Sequence, residues 1–158
     1  MTSSIDKLRA YTKALQEGDL ARASQLTREH VPLHGRMGLT ILKQEGVGAV
    51  VAMELGDEVR GFAEGSIHGG MLATLADVTS AFSLEGAYDR ESDMPVTTDM
   101  HVRYYRQPRS GPVTAEANVV HRGRRLLSTE CSVVDGEQRV LARSTATYML
   151  VPHGHGGE

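Results

Sequence analysis

The sequence predicts an α+β fold, one antiparallel sheet packed on one long helix. Three observations carry that expectation. A helix-forming run from Gly69 to about Glu85 places Met71, Leu75, Val78 and Phe82 at i, i+4, i+7 and i+11, an apolar stripe that needs burial against a sheet. Four later runs have strand character, and Val113, Ala115, Ala117 and Val119 alternate with Thr114, Glu116 and Asn118 as a half-buried strand requires. Turn-rich connectors separate those runs, and short connectors make antiparallel neighbours. At 158 residues the chain has the length of one domain, large enough to bury a core.

The elements follow in order. Ser3 or Ser4 can cap a helix running to Gln16, with Ile5, Leu8, Leu15 and either Tyr11 or Thr12 on one side. Gly18 stops it, and Asp19 caps a second helix from Leu20 to Glu29 that ends before Pro32. Leu39 to Lys43 and Val47 to Leu55 read as strands joined around Glu45-Gly46. Gly56 to Ile67 is a loop, and the main helix follows. Tyr88 to Pro95 is an acidic loop. Val96 to Arg106, Val113 to His121, Leu126 to Val134 and Val140 to Val151 are the four strands, with connectors at Pro108 to Pro112, Arg122 to Arg124 and Asp135 to Glu137. One helix among about six antiparallel strands is an α+β layer packing. Residues 1–30 form a helical extension, 31–152 the main domain and 153–158 a frayed tail; the two tail histidines are not read as a metal site.

Composition excludes several classes. Net charge is −3, so no global basic field attracts nucleic acid, and aromatic content of 4% supplies no base-stacking platform. No apolar run approaches the ~20 residues needed to cross a bilayer. The start of the chain lacks the apolar core of a signal peptide. A single cysteine, Cys131, rules out an intrachain disulfide and fits a reducing compartment, so the expected location is the cytoplasm.

The most informative stretch is Gly65 to Asp77, GSIHGGMLATLAD. Gly69 and Gly70 open a helix whose first N–H groups are bare and approachable, and the helix dipole adds partial positive charge there. Such an end suits a carbonyl oxygen that becomes negative during acyl transfer. Asp77 follows Gly70 by seven residues, about two turns on the same face, among the small residues Ala73, Thr74 and Ala81. A carboxylate with room beside it can activate water or attack a thioester. The plain alternatives are a solvated helix acid for Asp77, turn chemistry for the glycines and a structural role for His68, which can anchor the helix start by hydrogen bonds.

The HGG run, a carboxylate nine residues after the His and the strand-like runs that follow resemble the hot-dog-fold acyl-CoA thioesterases, in the branch with the phenylacetate-pathway and 4-hydroxybenzoyl-CoA enzymes. Pro32-Leu33 and Met37-Gly38-Leu39 look like that family's lead-in to its first strand. Val96 to Met100 and Ala142 to Tyr148 look like its sheet, so the resemblance covers roughly residues 31 to 152. It implies a sheet wrapped around one helix, hydrolysis of an acyl-CoA, and Asp77 as base or nucleophile. It further implies the Gly69 N–H as oxyanion donor and Thr97 as the hydroxyl that holds water. His68 joins the catalytic candidates, and Gly70, Phe62, Thr74 and Ala81 the substrate-binding ones. Arg122, Arg124 and Arg125 form a basic turn matched to coenzyme A phosphates. No metal or redox cofactor is implied, and coenzyme A enters as part of the substrate.

The family pairs its subunits, so a homodimer or dimer of dimers is expected, with Asp77 of one subunit opposite Gly69 of the other. Six residues before the His, the family carries Asn or Gln, and here Phe62 stands instead. Phenylalanine cannot donate a hydrogen bond, so Phe62 is read as lining an apolar acyl pocket. The alternative function is an acyl-CoA or acyl-ligand binder on the same fold, without catalysis.

Overall fold

The computed structural model describes residues 4–153. Four α-helices and six strands run in the order α1 (Ser4–Gln16), α2 (Leu20–His30), α3 (Pro32–Arg36), β1 (Thr40–Glu45), β2 (Gly48–Met53), α4 (Gly69–Ser83), β3 (Asp93–Tyr104), β4 (Val113–Arg122), β5 (Leu126–Val134) and β6 (Val140–Pro152), with one 3-10 turn at Asp57–Val59. The expected cap at Ser3, the side chain of Ile5 and the tail residues 154–158 lie outside the described residues. His153, expected to fray, is tied down: its N–H donates to the Ser92 carbonyl, and its Nε2 lies 2.7 Å from the Arg90 carbonyl oxygen.

All six strands form one antiparallel sheet in the order β1-β2-β4-β5-β6-β3. The sequence suggested that β3 and β4 are neighbours. Instead the connector between them is a crossover that carries the chain past β6 and β5. Three strand spacings are about 14 Å, which the residues between Tyr104 and Val113 span easily and a tight hairpin turn could not. The short Pro32–Arg36 helix was also not foreseen; proline at its first turn needs no N–H donor there.

The concave face of the sheet is built from alternate residues of its strands: Ala49, Val51 and Met53 on β2, Val113, Ala115 and Ala117 on β4, and Ala142, Ala146 and Tyr148 on β6. Many of these are alanines, so α4 sinks deep into the curve. Its own buried residues are Leu72, Leu75, Ala76, Thr79, Ser80 and Ser83. The anticipated stripe is therefore rotated. Leu75 is central, while Met71, Val78 and Phe82 are only half-buried at the flank. Close approach selects small side chains, and the larger ones are displaced to where space remains. Phe82 spends its ring on the N-terminal helices, 5.9 Å from the Tyr11 ring and 6.2 Å from that of His34.

The two sheet edges are treated differently. Along β1, α2 covers the edge: the Ile41 N–H donates to Ser24 Oγ at 2.8 Å, and the Arg28 guanidinium donates to the Leu39 carbonyl. The other edge is β3, twelve residues long, exposed or half-buried throughout, with a strand on one side only.

Candidate functional site

At the start of α4, His68 is the N-cap, in extended backbone geometry. Its Nδ1 accepts the Gly70 N–H at 3.0 Å, and its carbonyl accepts the Met71 N–H at 2.9 Å. A first helical turn has donors without intrahelical acceptors. Two of these are now satisfied by His68, and the Gly69 N–H remains without an acceptor among the described residues. His68 thus takes the anchoring role. A Cβ built on Gly69 would meet the Tyr104 ring at 3.7 Å, an ordinary contact, so Gly69 lies against the end of β3.

Asp77 lies on the α4 flank that faces β3 and β6. Thr97 Oγ1 donates to Asp77 Oδ1 at 3.1 Å. Tyr148, 1% exposed, brings its hydroxyl within 2.8 Å of the same Oδ1 and 3.0 Å of the Asp77 carbonyl oxygen. Burial, with the Asp77 charge beside it, pushes the Tyr148 phenol far above its ordinary range, so it stays a donor. Both donors reach Oδ1 and none of the described residues reaches Oδ2, which leaves one oxygen fixed and the other available. The two residues come together because Thr97 and Tyr148 are register partners across β3 and β6.

That register row continues: Tyr148 pairs with Leu127, and Leu127 with Arg122. Arg122 therefore lies roughly 14 Å from Thr97 at the same level of the sheet. It begins the turn closed by the Gly123 N–H on the Leu126 carbonyl, where Arg122, Arg124 and Arg125 are all exposed. Within one chain, the eight residues from Gly69 to Asp77 separate them by about 12 Å along the helix. One carbonyl group cannot touch both in the same protomer.

The other candidates take different places. Thr74 Oγ1 donates to the Gly70 carbonyl at 2.9 Å and is half-buried. Ala81, one turn beyond Asp77, lines an apolar cavity with Phe82, Met94 and Pro95. Phe62 is at the tip of a small turn closed by the Arg60–Ile67 bridge, its ring fully exposed. Cys131 is buried and its thiol is pushed up to about 12, chiefly by desolvation, which removes it as a nucleophile. Among the described residues no cluster of three or more His, Cys, Asp or Glu could hold a metal ion, and no helix is long and apolar enough to cross a membrane.

Two residues escaped the sequence reading. One is Tyr148, whose signal was its inward phase on β6. The other is Gln107, which carried no signal. Its Oε1 accepts the Ile67 N–H at 2.9 Å and its Nε2 donates to the Ile67 carbonyl at 3.3 Å, gripping the residue just ahead of His68. Gln107 is braced in turn from the β5–β6 turn. Arg139 reaches the Gln107 carbonyl, and Asp135 accepts the Arg109 N–H and pairs with the Arg139 guanidinium at 2.5 Å. Burial works against a charged Asp135. The amides of Arg139, Arg109 and Glu137, with the Arg139 guanidinium, outweigh it and hold the carboxyl at about 2.

Known proteins share this fold. Residues 64–142, half of the chain, match the thioesterase superfamily. The medium/long-chain acyl-CoA thioesterase YigI of Salmonella typhimurium is 26% identical over 135 residues, which cover 77% of this chain and 86% of that protein. The thioesterase HI1161 of Haemophilus influenzae superposes with a TM-score of 0.77 at 20% identity, over 87% of this chain and 94% of its own. A mutant of the phenylacetic acid degradation protein PaaI from Thermus thermophilus superposes at 0.66 with 28% identity, over 75% of this chain and 97% of that one. The matched segment holds Gly69, Asp77, Thr97 and the arginine turn, on a hot-dog fold with added N-terminal helices. The chain belongs to the thioesterase superfamily.

Proposed function

We propose that this protein hydrolyses an acyl-CoA thioester to the free acid and coenzyme A. The observation that carries the reading is the Asp77 carboxylate, with Oδ1 held by Thr97 and Tyr148 and Oδ2 free. A water at Oδ2 attacks the thioester carbonyl carbon and gives its proton to the carboxylate. The carbonyl oxygen becomes an oxyanion, stabilised by a Gly69 N–H and the helix dipole behind it. Collapse breaks the C–S bond, and the proton passes from Asp77 to the departing thiolate. The acyl-CoA substrate class is supported by the family and by the relative YigI. Arg122, Arg124 and Arg125 hold the nucleotide phosphates.

The site is completed by a second copy. The covered β1 edge and the open β3 edge favour pairing through β3. Thr97 stands beside Asp77, and Tyr104 beside Gly69, on that one strand. Antiparallel pairing of two β3 strands centred near Met100 sets Thr97 of one copy opposite Tyr104 of the other. It thereby brings one Asp77 toward the second copy's Gly69. The expected location of this activity is the cytoplasm.

Asp77→Asn tests the reading. The amide oxygen can still accept the Thr97 and Tyr148 hydroxyls, so the fold is kept while the base is lost. Thiol release from a panel of acyl-CoAs should fall by about 10²-fold or more. Near wild-type release from the folded variant, or tight acyl-CoA binding by the wild type with no hydrolysis, overturns it.

A further inference from the structure

One cavity of about 580 Å³, well within the size range of small-molecule pockets, lies directly beyond Asp77 and is not used by the chemistry above. Its walls are Ala81, Phe82, Tyr88, Met94, Pro95 and Leu8. Its lining residues Ala81 and Pro95 come from the elements that carry Asp77 and Thr97. Ala81 is one helical turn past Asp77 on α4, and Pro95 precedes Thr97 by two residues on the same face of β3, in register with buried Leu150. Leu8 brings α1 to the wall of this cavity, and α1 belongs to the extension outside the matched family segment. Asp93 and His153 also line it, and both have partners: Ser92 Oγ donates to Asp93 Oδ2 at 3.5 Å, and His153 Nε2 lies 2.7 Å from the Arg90 carbonyl oxygen. Glu85 and Arg90 are paired with each other, and the Arg90 guanidinium stacks over the Tyr11 and Tyr88 rings at 5.3 and 5.8 Å.

We propose that this cavity takes an aliphatic acyl chain, and that helix α1, through Leu8, forms its end wall and sets the chain length accepted. The inference rests on the acyl-CoA reading of Asp77. A chain whose thioester sits at Asp77 and Thr97 passes between Ala81 and Pro95 and ends against Leu8 and Met94. A short acyl group leaves that end empty and gains nothing from it. The N-terminal extension is thereby a specificity element.

The test compares butanoyl-CoA with dodecanoyl-CoA. Leu8→Trp fills the far end, so the ratio of kcat/KM for dodecanoyl over butanoyl should fall by about tenfold or more, since each methylene excluded from an apolar pocket carries roughly that factor. Met94→Trp, on the opposite wall, should shift the ratio the same way, and it keeps the test valid if Leu8→Trp fails to fold by circular dichroism. Arg9→Ala, an exposed position on the same helix, should leave the ratio unchanged. A dodecanoyl preference unchanged in both tryptophan variants overturns the proposal. If the wild type hydrolyses no acyl-CoA, the reaction assigned to Asp77 falls. The cavity is then judged by calorimetric binding of dodecanoyl-CoA: about tenfold weaker binding in the tryptophan variants supports it, and equal binding overturns it.

Discussion

Tyr148 places one buried hydroxyl between the carboxylate and the carbonyl of Asp77, at 2.8 and 3.0 Å. A side chain from the last strand thus fixes the rotamer of the acid and steadies the helix turn that carries it. Tyr148→Phe keeps the ring in the core and removes only that hydroxyl. The carboxylate then swings on the Thr97 contact alone, and small misplacements of a reacting group are costly. Turnover should drop by about ten- to 10²-fold with KM little changed, measured as kcat and KM on one acyl-CoA. A raised KM with kcat unchanged would show that the hydroxyl serves substrate binding instead.

Gly69 can be tested with unusual economy. It is the first helical residue, where proline is well tolerated, and His68 before it has φ −63° and ψ 128°, a conformation that proline accepts in its predecessor. A Cβ there meets only ordinary contacts. Gly69→Pro therefore deletes one N–H and little else. Loss of an oxyanion donor should lower kcat by about 10²–10³-fold, with the thermal melting temperature nearly unchanged. A fully active Gly69→Pro enzyme would remove the N–H from the mechanism.

Gln107→Leu keeps volume but abandons both polar groups of Ile67, a residue only 3% exposed. Each buried group left unpaired costs about 1–3 kcal/mol. The melting temperature should fall, and kcat should fall with it as the His68–Gly69 step loosens. Gln107→Glu retains the acceptor for the Ile67 N–H and should lie between wild type and Gln107→Leu on both measures.

Asp135 gives a pH signature. Its folded carboxyl sits at about 2, below the ordinary value near 3.9. The stabilisation it provides is therefore complete above about pH 4 and is lost as pH falls through 2. Denaturant melts of wild type and Asp135→Asn should differ most above pH 4 and converge toward pH 2. A gap that persists unchanged at pH 2 would contradict the charged role.

The sequence was most legible where one local pattern determined the outcome. The HGG helix start, the Asp77 position and the alternation of Val113 to Val119 depend on neighbours in the chain, and the structure has them as read. The family resemblance picked out Thr97 as a hydroxyl that holds water, and its hydrogen bond to Asp77 appeared only in the structure. What escaped was set by packing between distant segments. The burial of α4 turned on how small its facing alanines are, which periodicity does not weigh. Tyr148 joined Asp77 through strand register, 71 positions along the chain, and Gln107 met Ile67 across 40. The β3–β4 crossover was hidden because connector length permits it without requiring it.

The 12 Å that the helix puts between Gly69 and Asp77 has a genetic consequence. Under the proposed sharing of the site, a chain carrying Asp77→Asn and a chain carrying Gly69→Pro are each inactive alone. Refolded together, they form mixed pairs in which one site inherits both lesions and the other inherits neither. Two dead proteins would regain activity on mixing, with at most a quarter of the wild-type sites intact in a random equimolar population. A site contained in one chain could never be rescued that way.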